Sequence, residues 1–385
     1  MIATDNHPSP TPPGAPCRVL LLGGYGFFGK RLAARLALDP LIDLTICGRD
    51  LAAAEALSAS LNRQTGSARF HAQRIDVLAP GLAGHIRNSG AAVMVHASGP
   101  FQGQGYGVAR ACIEAGAHYI DLSDGREFVC GISALDADAR AAGVCVISGA
   151  SSVPALSSAV TDALAREFTQ VHAIDIGINP GNRTERGLAT VTAILGYTGA
   201  AIPNWRDGRW QSVFGWQGLR RHVYPAPVGV RWLAHCDVPD LQLMPARYPG
   251  VDTVSFRAGT ELRLLHFGAW MMAAMRRAGL VRDWSRYSAQ LKAASDLFIR
   301  FGTDAGAMHV EVTGVADGRQ LRRCWTLVAL DGDGPFVPTL ASAALVAKLA
   351  RGELAFRGAT PCVGLLTVQD FLDAAKGLAI TMETI

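Results

Sequence analysis

The feature that most constrains this chain is a run of glycines set between an apolar strand and a helix. Arg18–Leu22 is a short apolar run, Gly23-Gly24-Tyr25-Gly26-Phe27-Phe28-Gly29 follows, and Lys30–Leu38 has helical periodicity. The run holds G-x-G-x-x-G at 24, 26 and 29, and G-x-x-G-x-x-G at 23, 26 and 29. Glycines there permit a tight turn and let the main chain approach a pyrophosphate. The next helix meets that anion with free N–H groups and the positive end of its dipole. The pattern alone is weak, but here it follows a strand, opens a helix and starts a βαβ unit, the context a dinucleotide site requires. Lys30 does not make it a magnesium-nucleotide loop, because the Ser or Thr that would hold the metal is replaced by Arg31.

From Arg18 to about Ser148, strand-like and helix-like segments alternate. Strands are expected at Leu44–Cys47, Phe70–Val77, Ala92–His96, His118–Leu122 and Val144–Ser148, and helices at Leu51–Leu61, Gly107–Ala115 and Ala134–Ala142. This order implies an α/β fold with a Rossmann doubly wound parallel sheet. After Pro154 the rhythm changes. Strands at Val171–Ile178, Arg220–Tyr224, Val230–His235 and Val251–Ala258, and a hairpin of Met308–Val315 with Gln320–Leu330 around Asp317-Gly318, suggest a second α+β domain with a mostly antiparallel sheet. Helices are expected there at Leu264–Ala278 and Ser285–Phe301, and closing helices at Leu340–Leu349 and Val368–Ala375. The expected division is a disordered Pro-rich tail (1–16), a dinucleotide-binding domain (17–154), a substrate and dimerisation domain (155–335), and C-terminal helices (336–385) returning to the first domain.

The second strand ends Ile46-Cys47-Gly48-Arg49-Asp50. An acidic residue near this point holds the ribose 2′-hydroxyl of NAD, whereas Arg accommodates the 2′-phosphate of NADP. Arg49 comes first, after a glycine that leaves room, so NADP(H) is the expected cofactor. Asp50 is free to cap the next helix. Asp76 and Val77 would border the adenine. Ser98, Gly99 and Pro100, after the fourth strand, would pass the nicotinamide side, since ligands lie at the carboxyl ends of such strands.

Composition removes other classes. The 385 residues suggest two domains at about 150 residues each. Hydrophobic residues are 49% and charged residues 18%, so the bulk of the chain is not disordered. The net charge is +4 with no Lys/Arg run, which argues against a nucleic-acid partner. The 8 cysteines form no C-x-x-C pair and the 10 histidines no H-x-x-x-H, so no metal site is expected and the thiols read as free, in a reducing, cytoplasmic setting. None of the lysines at 30, 292, 348 and 376 has a tyrosine four residues before it, which removes the Tyr-x-x-x-Lys relay. No G-x-S-x-G elbow occurs. Hydride transfer without an evident fixed acid/base pair remains, and a protonated imine suits it because its carbon is already electrophilic. Leu264–Met275, between Arg263 and Arg276-Arg277, is shorter than the ~20 residues of a membrane span. It reads as a core or surface helix, with an interfacial anchor around Trp270 as the second reading.

Val19–Gly29, Ser98-Gly99-Pro100-Phe101 and Ala111–Ser123 resemble the saccharopine dehydrogenase (NADP-binding) family. Ala142-Gly143-Val144 and Ser152-Val153-Pro154 also fit its pattern. Asp237–Asp240 and Gly332–Pro335 look like features of its bacterial members. The resemblance implies a Rossmann domain and a second domain that binds substrate and often forms a homodimer. It also implies activities ranging from saccharopine formation and carboxyspermidine-type reductions to reductions of lipid-linked intermediates. Position nominates Asp121, Asp124 and Tyr119 for catalysis, near the expected nicotinamide, although a cap or loop hydrogen bond suits Asp121 equally. Arg183 and Arg186, on a turn after a strand, are candidates to clamp a substrate carboxylate, or simply face solvent. The expectation is an NADP-dependent oxidoreductase acting on an imine or carbonyl. The alternatives are a non-catalytic NADP(H)-binding regulator and a membrane-associated reductase of a lipid intermediate.

Overall fold

The computed structural model describes residues 16–384, so the expected tail lies outside the described residues except for Pro16. The chain forms two compact units. The first comprises the chain up to Ser123, Phe128–Ser152 and Pro338–Leu366. It contains β1 (Cys17–Leu22), α1 (Gly29–Leu36), β2 (Ile42–Gly48), α2 (Leu51–Thr65), β3 (Phe70–Arg74), α3 (Leu82–Ser89), β4 (Val93–His96), α4 (Gly107–Ala115), β5 (His118–Asp121) and β6 (Cys145–Ser148). The sheet order is Gly358–Pro361, β6, β5, β4, β1, β2, β3, with every neighbouring pair parallel. Such strands are buried on both faces, which is why they read as near-continuous apolar runs. The order reverses between β1 and β4, and ligands bind outside the strand carboxyl ends at such a switch point.

Local chemistry sets the boundaries. Asp50 caps α2, its carboxylate accepting from Ala53 N at 3.1 Å, and Gly66 closes it in the left-handed region. β3 stops at Arg74, short of the expected Val77, because Asp76 opens a turn by accepting from Leu78 N at 3.0 Å. The helix expected at Ala134–Ala142 is instead a helix at Arg126–Gly131, a 3₁₀ turn at Ile132–Leu135 and a helix at Asp136–Ala141.

The second unit comprises Asp124–Glu127, Val153–Val337 and Thr367–Ile385. Its sheet runs Arg220–Val223, Val230–His235, Thr253–Ala258, Gln170–Asn179, Gly306–Ala316, Arg319–Ala329, Ile380–Thr384. Only the pairing of Thr253–Ala258 with Gln170–Asn179 is parallel. The Asp317-Gly318 turn has φ of 49° and 73°, the backbone a two-residue hairpin needs. The helix expected at Ser285–Phe301 is a 3₁₀ turn at Ser285–Tyr287 and a helix that ends at Asp296. Asn182 Nδ2 then holds the carbonyls of Phe298 and Phe301 at 2.6 and 2.8 Å in a non-helical path.

The C-terminal expectation needs correcting. Pro338–Leu366 belongs to the first unit, but Thr367–Ile385 belongs to the second. A capping box between Thr367 and Asp370 opens the Val368–Ala374 helix, and Ile380–Thr384 then pairs antiparallel with Arg319–Ala329 as an edge strand. No helix among the described residues is long and apolar enough to cross a membrane.

Candidate active site

The glycine turn lies at the carboxyl end of β1. Gly23 has φ 74°, and Gly26 N donates to Gly23 O at 2.9 Å. A Cβ at Gly29 would collide with Gly23 O and stand 2.8 Å from Gly24 Cα, so α1 starts pressed against the turn. No side chain caps α1; the Lys30 and Arg31 amides donate to the carbonyls of Gly26 and Phe28 at 3.0 and 3.1 Å, so it is the turn just before them and the positive end of the helix dipole that face an anion. A Cβ at Gly23 would meet Ser98 Oγ and lie 3.1 Å from Ala97 C, so the loop after β4 packs against the turn. Gln104 Nε2 braces that loop, donating to the carbonyls of Ser98 at 3.2 Å and Pro100 at 2.5 Å.

Tyr25 lies across the end of β2. Its hydroxyl accepts from Asp50 N at 3.0 Å, and a Cβ at Gly48 would run into its ring. The Asp50 carboxylate serves α2, while the exposed Arg49 is the cation beyond β2. That division fits a 2′-phosphate better than a 2′-hydroxyl. Arg31 stacks on Phe27 at 4.2 Å and donates to its carbonyl at 2.6 Å, while Phe28 meets Phe27 edge-on at 4.8 Å. Val77 packs half-buried against the core, and Asp76 is exposed in its turn.

Beside the turn, three adjacent strands end in polar residues: His96 on β4, Asp121 on β5 and Ser148 on β6. His96 and Asp121 are register partners. All three are buried. Asp121 Oδ1 accepts from Ser123 N and Gly149 N, both at 2.9 Å. Its Oδ2 meets no donor in hydrogen-bonding geometry, although the Ser148 and Tyr119 hydroxyls lie close enough to favour its ionised form. Burial dominates and raises the carboxyl to about 6. Tyr119 Oη is 3.1 Å from His96 Nδ1. Burial lowers His96 to about 4, and its Nε2 is buried without a partner among the described residues. Burial, then the neighbouring Asp121, pushes the Tyr119 phenol well up. The ring of Phe101 lies 5.0 Å from His96 and 5.2 Å from Phe128. These groups can store a proton in a dry setting.

The structure thus brings together Asp121 and Tyr119 from the expected set and adds His96 and Ser148. Asp124, Arg183 and Arg186 belong to the second unit. Asp124 and Arg183 are exposed. Arg186 departs from the expected clamp, because its guanidinium donates to Ser295 Oγ at 3.1 Å and to Asn182 Oδ1, holding its own loop.

A second polar cluster escaped the sequence reading. Asp175 receives Arg220 Nη1 and Arg257 Nη1, each at 2.8 Å, and His309 Nε2 lies 3.3 Å away. Tyr224 Oη is 2.9 Å from His309 Nδ1, and His222 stacks on His309 at 3.7 Å. Burial works to raise the Asp175 carboxyl, but the His309 ring and both arginines outweigh it and hold it at about 2. Its members stand on four strands far apart in sequence, with Tyr224 just past the end of one, so no motif announces them. No group of three or more His, Cys, Asp or Glu placed to hold a metal occurs among the described residues.

Residues 19–147 match the family model described as the saccharopine dehydrogenase NADP binding domain. Over these residues the chain is similar to the NADP-binding domain of the saccharopine dehydrogenase family. Its cofactor is NADP(H), and the glycine cradle with Arg49 beyond it fits that group. The fold as a whole resembles apo saccharopine dehydrogenase (L-Glu forming) from Saccharomyces cerevisiae, at TM-score 0.70 and 14% identity over 96% of this chain and 100% of that one. It also resembles the amine dehydrogenase of Mycobacterium smegmatis, at TM-score 0.50 and 11% identity over 92% and 96%. No curated protein matches the chain in sequence. The NADP-binding saccharopine dehydrogenase-like fold supports an oxidoreductase.

Proposed function

We propose that this protein transfers hydride between NADP(H) and an imine or carbonyl carbon of a small molecule. The observation that carries the reading is the buried polar row His96–Asp121–Ser148 at the strand ends beside the glycine turn. When bound, NADP(H) supplies or accepts the hydride. The chain's own tasks follow from position. The amides of Phe27, Phe28 and Gly29, with the dipole of α1 behind them, hold the pyrophosphate, and Arg49 pairs with the 2′-phosphate while Tyr25 backs the ribose. Ser98, Gly99 and Pro100 shape the nicotinamide side. Asp121, with its carboxyl raised to about 6, takes up or releases a proton at Oδ2, and Tyr119, itself paired with His96, stands behind it. A protonated imine needs only hydride to become an amine, so a buried proton store of modest strength suffices. A carbonyl needs the proton as well.

The likeness to the saccharopine dehydrogenase (L-Glu forming) and to the amine dehydrogenase supports an amine and a carbonyl compound, joined as an imine, as the substrate pair. In this reading Arg183 is the available carboxylate partner and Asp124 the exposed acid of the second unit. The assembly is a homodimer, which sedimentation velocity checks. The test is NADPH oxidation followed at 340 nm against paired amines and 2-keto acids, and against aldehydes and ketones. Turnover on at least one pair, abolished in Asp121→Asn with NADPH binding intact, is expected. NADPH binding without turnover on every pair would favour the regulator.

A further inference from the structure

The Arg263–Arg277 helix of the second unit presents its apolar side outward. Leu264, Phe267, Met271 and Met275 fall at the i, i+3, i+7, i+11 spacing of one helical face. Leu264 is 65% and Met271 59% exposed, and Phe267 and neighbouring Trp270 are each exposed by more than a third. The opposite side is the buried one: His266 and Ala273 are both inaccessible, and His266 sits edge-on to Trp216 at 5.5 Å. Further exposed apolar residues stand near both ends of the helix. Leu280, just past its C-terminus, is 72% exposed, and Trp284 Nε1 ties that turn back to Met272 O at 2.8 Å. Leu297 is 74% and Phe301 54% exposed. Their segment is tied to the helix start, because Glu261 accepts from Thr303 N and Thr303 Oγ1, both at 2.9 Å.

Charge says what covers this face. From Arg263 to Arg300 there are seven Arg or Lys and two Asp, a surplus of five positive charges, whereas the whole chain carries +4. Both acids are engaged locally, Asp283 with Ser285 and Asp296 with Lys292. A two-fold interface between copies would set this surface against itself, and like charges across an interface are costly. An anionic bilayer surface matches both properties. Arginines meet lipid phosphates, and Leu, Phe, Trp and Met side chains enter the headgroup–acyl boundary. We propose that the Arg263–Arg277 helix and its flanks dock the protein peripherally on an anionic lipid bilayer. The proposal does not depend on the hydride-transfer reading.

The experiment co-sediments the full chain with vesicles of phosphatidylglycerol and phosphatidylcholine in equal parts, and with phosphatidylcholine alone. At least tenfold tighter binding to the anionic vesicles, weakened by 0.5 M salt, is expected. Leu264→Gln/Phe267→Gln/Met271→Gln and Arg263→Gln/Arg282→Gln/Arg300→Gln should each lose at least tenfold. All six positions are exposed, and unchanged NADPH affinity and thermal midpoint verify the fold. Protein that stays in the supernatant with both vesicles overturns the proposal. So does a dimer, seen by sedimentation velocity without lipid, that the Leu264/Phe267/Met271 variant converts to monomer.

Discussion

Replacing Asp121 by Asn tests the strand-end row through stability, independently of any substrate. The carboxyl is fully buried and its pKa is raised from 3.8 to about 6. The folded state therefore favours the neutral form. The stability this confers is present in full below the unfolded value and is lost as pH rises through about 6. At 1.36 kcal/mol per unit, ionised Asp121 costs the fold about 3 kcal/mol above pH 7. Asn keeps an oxygen for the Ser123 and Gly149 amides and removes the charge. Its stability relative to wild type should improve by roughly 1–2 kcal/mol between pH 5 and pH 8. Hydrogen exchange of the β4, β5 and β6 amides in denaturant is the assay, because all seven tryptophans lie in the second unit and fluorescence would report that unit alone. A difference between variant and wild type that stays constant with pH, or shrinks as pH rises, would refute the buried-proton argument.

Gly29→Ala should weaken NADPH at least tenfold in a fluorescence titration, because the new Cβ meets the main chain of Gly23 and Gly24, where no rotamer relieves it. Arg49→Ala should raise the NADPH dissociation constant roughly 10–100-fold and leave NADH nearly unchanged, since a charged hydrogen bond contributes about 1.5–3 kcal/mol. Equal losses for both nucleotides would count against the 2′-phosphate role. Burial holds His96 and His266 neutral down to about 4, so the stability they allow is present above pH 6.5 and lost as pH falls toward 4. His266→Phe, which keeps the ring against Trp216, should flatten the fall of the thermal midpoint between pH 6.5 and 4.5.

Much of this was legible where neighbouring residues decide the outcome. Strand, glycine turn and helix at Arg18–Leu38 are local, as are the Asp50 cap and the Asp317-Gly318 hairpin. Asp121 could be nominated because it follows an apolar run. His96 and Ser148 could not be placed beside it, because only the strand order β4–β5–β6 aligns their ends. The Asp175 cluster was illegible for the same reason. The short α3 lies between Gly81 and Gly90, both with positive φ, and no expectation covered it because eight residues between two glycines carry little periodicity. Ile380–Thr384 is five residues on a sheet edge, where a half-exposed pattern carries little periodicity, and its pairing with Arg319–Ala329 draws the tail into the second unit.

Titration calorimetry of the full chain with NADPH and with NADH addresses the cofactor seat most directly. Saturable NADPH binding at one site per chain, at least tenfold tighter than NADH, is the expected result. No heat with either nucleotide, or a preference for NADH, would contradict the account of the glycine turn and Arg49.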